Sequence, residues 1–196
     1  MIKYLFNFSG HCARCFVFQF PDESVSKFYR RKEKHVSDHI QEKFSHIDIK
    51  FNKQVEDGCS KRRPDILIEM GSHILIVEVD ENQHRNYNTS CEVTRLNELY
   101  TDLGDRPIVF IRFNPDKYYN ENGRYVKSCF KRHGNLDIPI VAEDQKEQWN
   151  ERLHKLVSRI KYYMKTVPKE QVIEEYLYYD EVEYTDSEDS DDSDTD

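Results

Sequence analysis

The chain has 196 residues, 34% of them charged and 37% hydrophobic, with a formal net charge of −8. That length suits one domain of about 150 residues with appendages, large enough to bury a core of its own. No stretch approaches the roughly 20 apolar residues of a membrane helix and the N-terminus lacks the pattern of a signal peptide, so the expectation is an intracellular protein with no membrane partner, its five cysteines reduced or metal-bound rather than paired.

Residues 1–20, MIKYLFNFSGHCARCFVFQF, read as an N-terminal aromatic β segment folded about Ser9-Gly10 and carrying Cys12-Ala-Arg-Cys15. A C-x-x-C pair is half of a zinc site. The other candidates, His11, Cys59, Cys91, Cys129 and His133, are scattered, so two thiols are the preferred reading and a structural Zn²⁺ the weaker one. The main domain is expected over 21–167. It opens with a helix over 23–45, in which Val36, Ile40 and Phe44 make one apolar stripe at four-residue spacing. Glu33 falls on that stripe and needs a partner. A first strand over 47–55 alternates Ile47, Ile49 and Phe51, half exposed to water.

Two apolar strands follow, separated by Gly71-Ser72, and their residues 65–68 and 74–79 are apolar on both faces apart from acids. Helices must therefore cover the sheet on both sides. A helix over 91–103 packs through Val93, Leu96, Leu99 or Tyr100, and Leu103, and stops at Gly104. Ile108–Phe113 is a buried fourth strand, a loop-rich stretch runs to about 142, and a helix over 143–166 buries Trp149, Leu153, Leu156, Ile160 and Met164. A short helix is expected over 168–179. Residues 180–196, with ten acids and no Lys or Arg, form a disordered acidic tail for want of apolar residues. Without them the chain carries 29 basic against 27 acidic residues, a net +2. The fold class is α/β: a mixed four-stranded sheet flanked by helices in a three-layer core, in the order α-β-β-β-α-β-α.

The informative stretch is KRRPDILIEMGSHILIVEVDENQH, residues 61–84. A two-residue turn beginning with Gly fixes the hairpin register. Pairing Met70 with His73 sets Ile68 opposite Leu75, Leu67 opposite Ile76 and Asp65 opposite Glu78, and the period-two rule puts Asp80 on the face of Glu78. Directly opposed Cβ atoms lie about 5 Å apart, and two carboxylates at that distance repel by roughly 3 kcal/mol at an effective dielectric of about 20. Either one holds a proton or a cation sits between them. A hard divalent ion with oxygen ligands, Mg²⁺ or Mn²⁺, is the economical answer.

Pro64-Asp65 and Glu78-Val79-Asp80 resemble the two halves of the signature of the PD-(D/E)XK, or restriction-endonuclease-like, nuclease superfamily. The motif Lys is replaced by Asp80, followed by Glu81-Asn82-Gln83-His84. That departure resembles the branch of very-short-patch-repair endonucleases, in which a downstream His takes part in catalysis. The strings GCSKRRPDILIE, VEVDENQH, CE followed by an Arg, and RPIVFIRFNPDKY are also similar to a family of small proteins of large DNA viruses and algae. The resemblance covers roughly residues 25–165.

It implies a three-layer restriction-endonuclease-like core and metal-dependent hydrolysis of DNA phosphodiester bonds, with RNA an open alternative substrate. Asp65 and Glu78, with the backbone carbonyl of Val79, would hold the metal. Asp80 would add an outer ligand or orient His84, the candidate general base, since an imidazole with a pKa of about 6.5 accepts a proton at neutral pH. Gln83 would position water or phosphate, and Glu33 would be the acid that such folds supply from their first helix. A carboxylate-rich site repels phosphate, so Arg62, Arg63, Arg85, Arg95 and Arg112 are candidate nucleic-acid contacts. The missing Lys supports an alternative: a nuclease-fold protein that no longer cleaves and binds nucleic acid or a protein partner. The sequence is silent on specificity and oligomeric state.

Overall fold

The computed structural model describes residues 31–56, 58–84, 89–133 and 138–180. The N-terminal β segment with Cys12 and Cys15, and the acidic tail beyond Asp180, lie outside these residues. Within them the elements run α1 (Arg31–Lys43), β1 (Ile49–Phe51), β2 (Ile66–Glu69), β3 (Ile74–Val79), α2 (Thr89–Asp102), β4 (Ile108–Phe113), β5 (Tyr118–Tyr119), β6 (Tyr125–Val126), β7 (Phe130–His133), β8 (Ile138–Val141), α3 (Lys146–Lys165) and β9 (Val172–Leu177).

The central sheet has five strands in the order β1-β2-β3-β4-β9. β1, β2 and β3 run antiparallel in sequence, and β4 and β9 add parallel to β3 and to each other. Alternation along the strands divides the core in two. Ile66, Ile68, Leu75, Val77, Val109 and Ile111 face Val36 and Ile40 of α1, Phe44 just after it, and Trp149, Leu153, Leu156 and Ile160 of α3. Leu67, Ile74, Ile76, Ile108 and Phe110 face Leu99 of α2 and Leu103 just after it. The sheet is thus covered on both sides, as its two-sided apolar strands require.

The β2–β3 hairpin has the register that its turn dictates: Ile68 pairs with Leu75, Leu67 with Ile76 and Ile66 with Val77, and the Met70 N–H donates to the His73 carbonyl at 3.0 Å. Gly71 sits at φ +75°, and a Cβ there would meet nothing within 4 Å. The position is demanding only in its backbone. Gly71→Ala is therefore expected to cost about 1 kcal/mol, the left-handed penalty alone, read as a lower urea midpoint with an unchanged slope.

Three expectations are corrected. Residues 172–177 form the edge strand β9, not a short helix: Val172, Glu174 and Tyr176 alternate with Ile173, Glu175 and Leu177, and the strand adds parallel to β4. The sheet has five strands rather than four for the same reason. Val93 is 58% exposed, because the inward row of α2 is Arg95 and Leu99, continued by Leu103 just past its end at four-residue spacing, with Arg95 meeting the sheet through Glu78. The loop-rich stretch also holds two short hairpins, β5–β6 and β7–β8. Among the described residues no helix is long and apolar enough to cross a membrane.

Candidate active site

The acids gather at one end of the sheet, where β3, β4 and β9 finish and β2 begins. This is the end at which open α/β sheets bind ligands. The hairpin register continued by one pair places Asp65 opposite Glu78, and Asp65 Oδ2 accepts the Val79 N–H at 2.8 Å. Glu78 and Asp80 project to the α2 side by alternation along β3. Both are buried, at 5% and 1% exposure.

Each carboxylate meets a donor. Arg95, from the second turn of α2, places Nη2 2.7 Å from Glu78 Oε1. Arg112, on β4 beside Glu78 in register, donates from Nη1 to Asp80 Oδ2 at 2.9 Å and from Nε to Glu174 Oε2 at 3.0 Å. The Tyr179 hydroxyl donates to the same Asp80 oxygen at 2.5 Å. Burial, then the neighbouring Asp65 charge, outweighs Arg95 and pushes the Glu78 carboxyl up to about 8. Burial, reinforced by the Asp80 charge beside it, also raises the Tyr179 phenol, which keeps it a donor.

The segment after Asp80 is strained and braced. Asn82 and Gln83 are both left-handed, at φ 56°, a conformation that costs a non-glycine residue free energy and persists only where surrounding contacts impose it. Such contacts surround the turn. Lys32 of α1, its side chain 11% exposed, lies between Glu81 at 3.0 Å and Asp116 at 2.8 Å. Asp116 accepts the Asn82 N–H at 3.1 Å and the Ser128 hydroxyl at 3.0 Å. The Gln83 amide donates to Asp180 Oδ1 and to the Lys117 carbonyl, and its oxygen accepts the Asp180 N–H. Gln83 is thus committed to bracing its own turn rather than displayed toward solvent.

His84 closes the turn Glu81–His84, so the backbone brings it four residues past Asp80; its side chain and all of Arg85 lie outside the described residues. Glu33 accepts from the Asn52 side chain at 3.1 Å, while the Asn52 N–H donates to the Asp65 carbonyl. One residue therefore links Glu33 to the Asp65 end of the sheet. Arg62 pairs with Glu98 at 2.5 Å, and Arg63 is exposed, its carbonyl accepting from Arg95. Of the arginines expected to meet nucleic acid, Arg95 and Arg112 pair with the site's own acids, Glu78 and Asp80.

Sequence reasoning missed Lys32, Asp116 and Tyr179. Asp116 lies in the Asn114-Pro115-Asp116 string after β4, where the only signal in the sequence is an acid at a strand end; its burial is seen in the structure. Among the described residues no group of three or more His, Cys, Asp or Glu side chains is arranged to hold a metal ion, and of the zinc candidates Cys59 is exposed and Cys129 buried. Compared with protein families, curated proteins and solved structures, the chain matches none.

Proposed function

We propose that the chain is a metal-dependent nuclease acting on DNA. The observation that carries this reading is the opposition of Asp65 and Glu78 at the open end of the sheet, with Glu78 buried and its carboxyl pushed up to about 8 by burial and by Asp65. Such a pair has a standing demand for a cation or a proton. It fits a hard divalent ion. Asp65, Glu78 and the Val79 carbonyl would hold Mg²⁺ or Mn²⁺, which when bound polarises a phosphoryl oxygen and lowers the pKa of a bound water.

The remaining roles belong to the chain's own residues. His84 is the candidate acceptor of the water proton, and the Lys32–Asp116 pair fixes the turn that ends in it. Arg112 and Tyr179 hold Asp80 at the start of that turn, so Asp80 acts as an anchor in this reading and not as a third metal ligand. Arg95 offsets the acidity that a phosphodiester meets on approach.

The test is nicking of supercoiled plasmid and cleavage of oligonucleotides with Mg²⁺ or Mn²⁺. Wild type is expected to cleave, and Asp65→Ala, Glu78→Ala and His84→Ala to lose the activity. Wild-type binding without cleavage in either metal supports the alternative of a nuclease-fold protein that only binds. One observation favours that alternative: Asp65, Glu78 and Asp80 each already accept a hydrogen bond from within the chain.

A further inference from the structure

The hairpin β5–β6 stands beside the candidate site and is unusually well fixed for a pair of two-residue strands. Its root is held by Arg152, a guanidinium 1% exposed. Arg152 donates to the Asp116 carbonyl at 2.8 Å before β5 and to the Lys127 carbonyl at 3.3 Å after β6, with its Cζ over the rings of Tyr118 and Tyr178 at 5.1 and 5.0 Å. Its tip is closed by the Asn120 side chain, which accepts the N–H groups of Asn122 and Arg124. The arm meets the site through Asp180, whose Oδ1 accepts both the Tyr119 N–H at 2.8 Å and the Gln83 amide at 3.0 Å. It is therefore two hydrogen bonds from the turn that carries His84.

What this arm presents is aromatic and on balance basic, with Lys117 and Arg124 exposed against the single acid Glu121. Tyr119 and Tyr125 are directly opposed across the strands, with ring centroids 5.6 Å apart and planes at 62°. They remain 41% and 56% exposed. Lys117 and Arg124 flank them, both exposed. An edge-to-face pair leaves ring faces open to solvent, and every nucleobase has a π-face that stacks on such a ring without regard to sequence. Inside a duplex those faces are covered by neighbouring base pairs. They are free only where a base is unpaired.

We propose that the β5–β6 arm is a stacking surface for unpaired bases, with Lys117 and Arg124 on the adjoining phosphates, so that the nucleic acid brought to this site is single-stranded or locally unpaired. This rests on the reading of the site as one that takes nucleic acid, and it names the class of strand.

The experiment measures binding of the full chain, by fluorescence anisotropy in EDTA, to a labelled oligothymidylate and to a duplex of equal length. With no divalent ion present, cleavage plays no part in the result. Replacing both tyrosines, Tyr119→Ala with Tyr125→Ala, is expected to weaken single-strand binding by roughly 10- to 100-fold while duplex binding changes by less than about threefold. The Tyr119→Phe, Tyr125→Phe pair keeps the rings and is expected to bind the single strand like wild type. A purely structural role for the pair, the cross-strand contact of a short hairpin, would not separate the two substrates.

Should the alanine pair fail to fold, Tyr125→Trp gives a second reading, because a stacked base quenches an exposed indole and Trp149 is buried. Absence of quenching by the oligothymidylate would overturn the proposal. So would equal losses on both substrates in the alanine pair, or no single-strand binding by wild type. Tyrosine-dependent single-strand binding in a chain that never cleaves would instead refute the nuclease reading and leave the arm's role standing.

Discussion

Arg112→Met is expected to lower stability by about 3–5 kcal/mol, the range for removing one partner of a buried ion pair. Arg112 is 8% exposed and Asp80 1%, so methionine takes a cationic donor from a carboxylate that is closed off from water. Most of the cost is a buried charge that is less well compensated, rather than the lost bond itself. The double variant with Asp80→Asn, which removes that charge at constant shape, is accordingly expected to recover much of the loss, with a coupling of roughly 2–3 kcal/mol in the cycle. Urea denaturation of the four proteins measures it. A cost below about 1 kcal/mol for Arg112→Met would mean that Asp80 does not depend on this pair and is available to the site as a third acid. Arg112 stands on the neighbouring strand, at the residue paired with Glu78 in register, so its charge lies beside both buried acids of β3.

What was legible in the sequence was legible because it was local. The β2–β3 register follows from a two-residue turn and a period of two, and both operate within fifteen residues, so Asp65 and Glu78 could be brought together on paper. The two-sided cover of the sheet followed from strands that are apolar on both faces. β9 was misread because an edge strand needs only half an apolar pattern: Glu174 and Glu175 interrupt it, and each is an ion-pair partner of a distant arginine, Arg112 and Arg159. Composition marked Arg95 and Arg112 as cations near the site, but not what they pair with. Their separations from Glu78 and Asp80, 17 and 32 residues, are set by how α2 and β4 return to the sheet, and Tyr179 reaches Asp80 across 99. The brace on the His84 turn was hidden for the same reason, since Lys32 and Asp116 are 84 residues apart. Arg152, buried in α3 amid an otherwise apolar row, shows how a helical stripe can conceal a polar clamp on a hairpin it never approaches in sequence.

Glu78→Gln is expected to make the metal-free protein more stable than wild type at alkaline pH, and the sign follows from proton counting. The folded carboxyl is pushed up to about 8 against a reference of 4.5, so between those values the folded state holds a proton that the unfolded state has lost. Stability therefore falls as pH rises through that window. With Glu78 5% exposed, the loss is roughly 3–5 kcal/mol. Glutamine has no proton to lose, and Arg95, with its side chain 28% exposed, can hydrate once its anionic partner is gone. The variant's profile should lack the fall that Glu78 contributes across the window and cross that of wild type. On the proposed reading Mn²⁺ flattens the wild-type slope, because the metal-bound folded state has given up the proton that the unfolded state also lacks. The ion must displace the Glu78 proton, so its apparent affinity climbs with pH up to about 8 and its stabilisation grows with concentration relative to Kd, whereas Glu78→Gln gains little from it. Denaturation from about pH 5 to 9, in EDTA and in Mn²⁺, separates the cases. A wild-type profile that stays level in EDTA would show that Arg95 alone satisfies Glu78, and a carboxylate already satisfied has no need to recruit an ion.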